Sequence, residues 1–273
     1  IGKDAGQANS SEGNQSYQSI WIGYQAGYSI TDSINSVMIG HQAGYSVTTA
    51  DESVLLGYQA GYSNTTGTNV AIGFQTMQNL VTGTANTAVG RKALNSADGA
   101  ENNNVAIGSS AMQNVNNDSS EKNVAIGADA MSSVTSGEVD RCIAIGFGAM
   151  DGAGSIGGQQ NIFIGDNAGG GSWTTAASNS NVAIGATAMS AALNGALGNT
   201  AVGHDGLKAV TTGDYNTTLG RGAGTAITTT SYTVAIGNYA LSALTTSGDY
   251  TIAIGHGAMG GAEIGDGNIA IGY

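Results

Sequence analysis

The chain of 273 residues has no proline and one cysteine, and Asp, Glu, Lys and Arg together make up only 10% of it. With the single thiol of Cys142, no disulfide can form within the chain, so a disulfide-stapled fold is excluded. Seven basic against nineteen acidic residues give a net charge of −12, which opposes binding to nucleic acid. No apolar run approaches the roughly 20 residues of a membrane-spanning helix. We therefore expect that this segment neither binds nucleic acid nor inserts into a membrane.

The low charge does not indicate disorder, because 41% of the chain is hydrophobic and Val and Ile recur along its whole length. The recurrence is a repeat, since a glycine closes a triplet such as "AIG" or "AVG" at intervals of 16–21 residues. A constant core with spacers of variable length is typical of a β-solenoid. We call these residues marker glycines; they are Gly2, Gly23, Gly40, Gly57, Gly73, Gly90, Gly108, Gly127, Gly146, Gly165, Gly185, Gly203, Gly220, Gly237, Gly255 and Gly272.

The three residues before each marker glycine predict a short strand with two apolar faces. The first and third are mostly Val or Ile and share one face. We predict that this pair fills the coil core, for example at Val105, Ile107, Val124, Ile126, Ile143, Ile145, Val182 and Ile184. The middle residue then faces outward, and an apolar outward face needs a cover, which we expect to be two further copies of the chain. The predicted trimer-facing residues are Trp21, Met38, Leu55, Ala106, Ala125, Ala144, Phe163 and Ala183.

Polar and sulfur-containing side chains also recur at fixed places in the repeat. Asn stands four residues before most marker glycines, which predicts a stacked amide ladder, with Cys142 as a small substitute in one coil. Gln25, Gln42 and Gln59 predict a second ladder. Ala followed by Met or Leu, after the marker glycine, predicts another buried wall.

Aromatic side chains recur at one register in the first coils and predict two columns. One column holds Tyr24, His41, Tyr58 and Phe74, and the other holds Tyr28, Tyr45 and Tyr62. Tyr offers an apolar face and a polar tip, so exposed rows of this kind are candidate contacts for surface glycans. The competing interpretation is that the rings only pack against each other or across the trimer.

Residues for catalysis or metal binding do not converge in the repeat. His41, His204 and His256 stand at equivalent positions of different coils, and no zinc-type Cys/His cluster is present. We therefore expect no catalytic site, no metal site, no cofactor and no enzyme activity. Thr clusters in spacers of unequal length, which disfavours a flat ice-binding lattice.

The segments "NVAIG", "NTAVG" and "IGYQAGYSNTTGTNVAIG" resemble the repeats of trimeric autotransporter adhesin heads and, more closely, those of phage tail-fibre proteins. The resemblance implies an all-β, parallel, left-handed β-roll-like solenoid of about fifteen coils, forming an intertwined or side-by-side homotrimer. It covers residues 1–273 as a single repeat domain, with aromatic "GYQAGY" coils in 1–62 and Ala-Met or Ala-Leu coils in 63–273. Because both ends lie inside the motif, we expect a fragment of a longer fibre.

The function that this resemblance implies is mechanical. We expect the shaft of a phage tail or head fibre, located on the virion, that holds a receptor-binding tip and contacts host glycans or a protein receptor. The alternative is the ligand-binding head of a bacterial trimeric adhesin on the extracellular cell surface. A polysaccharide-cleaving tailspike would need closely placed carboxylates on the shaft, which the sequence pattern does not predict.

Overall fold

The protein is an all-β parallel β-solenoid of about 14 turns with almost no helix. A computed structural model describes residues 1–7, 18–32, 34–49, 51–243, 248–261 and 265–273. The chain forms two compact units, Ile1–Thr135 (unit 1) and Ser136–Tyr273 (unit 2). The predicted fold class is therefore confirmed, whereas the left hand of the coil, the homotrimer and the single-domain organisation stay predictions.

Unit 1 contains seven strands of three residues, each ending directly before a marker glycine. They pair in parallel and in chain order, with equivalent residues side by side, as in the pairing of Val105 with Val124. The strands are β1 (Ile20–Ile22), β2 (Val37–Ile39), β3 (Val54–Leu56), β4 (Val70–Ile72), β5 (Thr87–Val89), β6 (Val105–Ile107) and β7 (Val124–Ile126).

Unit 2 continues the same pattern in eight strands and adds one extra two-stranded pairing, between Val139–Asp140 and Gly158–Gln159. A three-residue 3-10 helix lies at Asp151–Ala153. The strands are β8 (Val139–Asp140), β9 (Ile143–Ile145), β10 (Gly158–Gln159), β11 (Ile162–Ile164), β12 (Val182–Ile184), β13 (Thr200–Val202), β14 (Thr217–Leu219), β15 (Val234–Ile236), β16 (Ile252–Ile254) and β17 (Ile269–Ile271).

The predicted inner and outer faces of the strands are wrong and must be exchanged. The middle residue of the strand is the one inside the coil: Met38, Leu55, Ala106, Ala125, Ala144, Phe163 and Ala183 have no exposed surface even in a single chain, and Trp21 lies between Gly6 and Gly27. They cannot face a partner. The residues predicted as coil core lie outside and are half-buried or exposed: Val105, Ile107, Val124, Ile126, Ile143, Ile145, Val182 and Ile184.

The physical reason is the limited space inside one coil. The fourth residue after the marker glycine points into the same interior as the middle strand residue. The summed volume of these two side chains is nearly constant from coil to coil. Where the strand carries a large residue the later position is glycine, as in the pairs Trp21/Gly27, Met38/Gly44, Leu55/Gly61 and Phe163/Gly169. Where the strand carries alanine the later position is Met or Leu, as in Ala71/Met77, Ala88/Leu94, Ala106/Met112, Ala125/Met131, Ala144/Met150 and Ala183/Met189.

Both predicted side-chain ladders are confirmed. Asn123 donates its backbone N–H and its side-chain amide to Oδ1 of Asn104, at 3.0 and 3.1 Å, inside the coil. Gln42 and Gln59 each donate to the Gln of the preceding coil at 3.0 Å. These bonds satisfy buried amides that would otherwise be costly. The buried wall of Ala and Met or Leu after the marker glycine is confirmed as well.

Cys142 takes the place of Asn in the ladder of unit 2. Its Sγ accepts the backbone N–H of Asn161 at 3.5 Å, and the thiol lies 3.2 Å from the carbonyl oxygen of Gly158. Burial raises the pKa of Cys142 to about 11. The thiol is therefore protonated at neutral pH and structural in character.

Candidate functional site

The outward residues of the strands form an apolar surface, which we call the outer sheet face. It consists of the first and third residues of β1–β7 in unit 1 and of β9 and β11–β17 in unit 2, all of them Val, Ile, Leu or Thr. None of these strand positions carries a charged residue. The side chains are half-buried by their neighbours along each row, and several remain more exposed, such as Ile107 at 37% and Ile184 at 39%.

The first predicted aromatic column is present and we call it the Tyr24 column. Ring centroids lie 5.1 Å apart from Tyr24 to His41, 5.1 Å from His41 to Tyr58 and 5.2 Å from Tyr58 to Phe74. Tyr24, Tyr58 and Phe74 keep between 40% and 45% of their surface exposed. The structure thus brings all four predicted residues together at the surface of unit 1.

The second predicted column, the Tyr28 column, is more tightly stacked. Tyr45 lies 4.9 Å from Tyr28 and 5.0 Å from Tyr62, with ring planes within 7° of parallel. Lost hydration raises the pKa of Tyr45, and its two neighbours in the column act in the same direction. The three side chains are half-buried, and their nearly parallel stacking sets the hydroxyl groups in one row.

Stacking within the columns limits how a ligand can use them. The inner rings His41, Tyr58 and Tyr45 have a neighbour on each face, so a sugar ring cannot stack there without separating two coils. What remains for a ligand is the edge of each ring and the hydroxyl groups. Whether these edges bind glycans stays a prediction.

A third column, which we call the Tyr215 column, was not predicted from the sequence and lies in unit 2. Tyr232 stacks 5.4 Å from Tyr215 and 5.1 Å from Tyr250, and Tyr250 is 63% exposed. Each of these tyrosines stands five residues before a marker glycine, a spacing that would have revealed the column. Glycines occupy the same register in the flanking coils, at Gly198 and Gly267, so Tyr250 retains an open ring face.

The three histidines do not converge on a common site. His41 lies within the Tyr24 column, and His256 stacks 5.4 Å from Tyr273. His204 lies 2.7 Å from Asp205, whose other carboxylate oxygen contacts Lys208 at 3.0 Å. Although burial raises the pKa of Asp205, hydrogen bonds from Thr187 and Lys208 outweigh it and lower the pKa.

A groove of about 570 Å³ lies beside this ion pair in unit 2. Its walls include Asp205, Lys208, Thr225, Tyr239 and Ser190. The groove therefore combines one charge of each sign, three hydroxyl groups and the aromatic ring of Tyr239. Such a surface can donate hydrogen bonds to a polar ligand and accept them from it.

An acidic cluster in unit 1 was also missed by the sequence reasoning. Asp98, Glu101 and Asp118 each place a carboxylate oxygen within 4.8 Å of the others. Asp98 and Glu101 precede β6 and Asp118 precedes β7, so the cluster joins the spacers of adjacent coils. The signal was the "DGAE" and "DSSE" pair, in which the same acidic spacing returns after 20 residues.

Comparison with known proteins gives no family for the chain, because neither a protein-family model nor a curated protein matches it. Within the described ranges, no helix has the length and hydrophobicity needed to cross a membrane. The function must therefore be inferred from the repeat and its surfaces.

Proposed function

We propose that the chain is a shaft segment of a phage tail or head fibre, in which three copies associate through the outer sheet face. The shaft holds a receptor-binding tip away from the virion and performs no catalysis. The observation that carries the proposal is the outer sheet face itself, which presents uncharged, mostly β-branched residues in every coil. A strand with one face in water normally carries polar residues on that face.

The size of the outer sheet face supports association between copies. Seven strands about 4.8 Å apart give unit 1 a strip about 29 Å long. At a width of about 10 Å, the strip covers about 300 Å², which reaches the range of the largest apolar patches on soluble monomers. Unit 2 presents a second strip of the same kind. Patches of this extent are often interaction sites.

Symmetry favours another copy of the chain as the partner. The net charge of −12 on each copy opposes self-association, so copies are best able to meet through a surface that carries no charge of its own. The outer sheet face meets this requirement along both units. In a closed cyclic arrangement, equivalent rows of Val and Ile meet at the same height around the axis. Three copies is the number that the resemblance to phage fibres and adhesin heads implies.

The second candidate function is the ligand-binding head of a bacterial trimeric adhesin. The specific observation in its favour is the exposed Tyr215 column, with the open ring face of Tyr250. Both candidates use the same trimer and differ in whether the solenoid surface itself binds host sugars. A glycan array distinguishes them: wild-type binding that is lost in Tyr250→Ala favours the adhesin.

Charges introduced on the outer sheet face test the proposed association. The double variant Val105→Lys/Ile107→Lys should weaken association at least about a hundredfold, because unpaired charges become buried between copies. The coil itself should stay folded, since both side chains already reach the surface of one chain. Analytical ultracentrifugation measures the association, and circular dichroism measures the retained β structure.

Asn116→Lys is the matched control, because Asn116 is exposed on the following spacer, away from the outer sheet face. It adds the same kind of charge and should leave association unchanged. If Val105→Lys/Ile107→Lys associates as tightly as wild type, the outer sheet face is not the interface and the proposal fails.

A further inference from the structure

Glu101 sets the acidic cluster apart from an ordinary group of surface carboxylates. Its side chain has no exposed surface, although Asp98 and Asp118 beside it are exposed. One oxygen, Oε2, accepts the backbone N–H of Gly99 at 3.2 Å. The other, Oε1, is buried and has no hydrogen-bond partner. A buried carboxylate oxygen without a partner is costly and calls for a ligand or another physical explanation.

Three carboxylates dominate the electrostatics of the cluster. Burial raises the pKa of Glu101 and outweighs two backbone hydrogen bonds that lower it, and the charges of Asp118 and Asp98 raise it further. Lys122, in the spacer that follows Asp118, pairs with Glu121 at 2.6 Å. A bound cation would offset both the burial and the mutual repulsion of the three carboxylates.

We propose that Asp98, Glu101 and Asp118 form a binding site for a divalent cation, with calcium as the best fit. Calcium takes oxygen ligands at about 2.3–2.6 Å, so two ligands on opposite sides lie up to about 5 Å apart. The separations of at most 4.8 Å fall within this limit, and calcium accepts an irregular set of oxygen ligands, whereas magnesium demands a near-ideal octahedron at about 2.0–2.1 Å. Glu101 supplies the ligand on the buried side and the two aspartates supply ligands on the open side.

The surrounding backbone supports this placement of the ligands. Asp118 accepts the backbone N–H of Ala100 at 3.1 Å, which holds its carboxylate over the preceding spacer. A side chain at Gly99 would collide with that carboxylate, so the glycine leaves room for it. The cation would therefore clamp the spacers of two consecutive coils together. This role is independent of the proposed fibre function.

Isothermal titration of the whole chain with calcium chloride, after dialysis against EDTA, tests the site. We expect wild type to bind calcium saturably. In Glu101→Gln, one equivalent of calcium binding should be lost or its affinity should fall at least tenfold. Calcium should also raise the thermal unfolding midpoint of wild type, because it binds only the folded state, and should raise that of Glu101→Gln less. Glu121→Gln is the matched control, since it removes a carboxylate from the next spacer outside the cluster and should bind calcium as wild type does.

Asp98→Asn keeps the test decisive should Glu101→Gln fold poorly, because Asp98 is exposed and its replacement leaves the coil interior intact. It should also weaken calcium binding. The proposal is overturned if wild type shows neither binding heat nor a midpoint shift, or if Asp98→Asn and Glu101→Gln both bind as wild type does. Tighter binding of magnesium than of calcium would overturn the choice of calcium.

Discussion

Replacing the marker glycine Gly108 by alanine should cost unit 1 about 3 kcal/mol of stability or more. Gly108 has a φ of 136°, a backbone conformation that essentially only glycine adopts. An added Cβ would collide with the carbonyl oxygen of Gly127 in the next coil and would lie 2.6 Å from its carbonyl carbon. Both atoms belong to the backbone, so relief requires separating two coils. Urea unfolding followed by circular dichroism measures the loss.

Gly261→Ala is the control for this substitution. A Cβ at Gly261 meets no atom within 4 Å, and the residue is exposed. Its replacement should change stability by less than about 0.5 kcal/mol. Equal stabilities of Gly108→Ala and Gly261→Ala would show that the close stacking of marker glycines does not hold the coils in register.

Leu55→Ala should destabilise the protein by about 2–5 kcal/mol, and adding Gly61→Met should restore much of that loss. Leu55 and Gly61 share one coil interior, and a Cβ at Gly61 would lie 2.8 Å from Cδ2 of Leu55. Gly61→Met alone should therefore overpack the coil and cost about 1–3 kcal/mol. The double variant recreates the Ala71/Met77 pair of the next coil, where Met77 already has a φ of 49°.

The measurement is a double-mutant cycle from urea unfolding of the four proteins. If the two single losses simply added, they would set an expected free energy of unfolding for the double variant. The measured value should exceed that sum by about 2 kcal/mol or more. Combining Leu55→Ala with Gly169→Met, which adds the same residue opposite Phe163 in another coil, should give no such rescue. Additive losses in the first pair would contradict the shared interior.

The repeat made the solenoid predictable because its signals are local and periodic. Marker glycines at 16–21-residue intervals, Asn104 and Asn123 in one register, and Gln42 and Gln59 in another all stand where stacking requires them. Parallel in-register pairing then follows, since equivalent residues of successive coils become neighbours. Tyr24 and Tyr28 and their equivalents could be placed in columns for the same reason.

The strand sequence alone did not show which face of each strand points into the coil. In "VAI" both faces are apolar, so a period of two shows that Val105 and Ile107 share a face but not which face is inside. The deciding signal lies outside the strand, in the exchange of volume between pairs such as Leu55/Gly61 and Ala106/Met112. Residues that compensate for each other in size occupy one interior.

The acidic cluster was missed for a different reason. It lies in spacers, where insertions shift the register and the sequence no longer fixes which residues meet. Asp98 and Asp118 are 20 residues apart, while their marker glycines Gly108 and Gly127 are 19 apart. A single-residue offset of this kind brings Asp118 beside Glu101 only once the chain has folded.

The solution mass of the chain decides whether two further copies cover the outer sheet face, as we propose. One chain has a mass of 27.0 kDa. Size-exclusion chromatography with light scattering should give about three times that mass, unchanged on dilution through the micromolar range. A stable, soluble species of 27.0 kDa with the apolar rows left open to water would contradict the account.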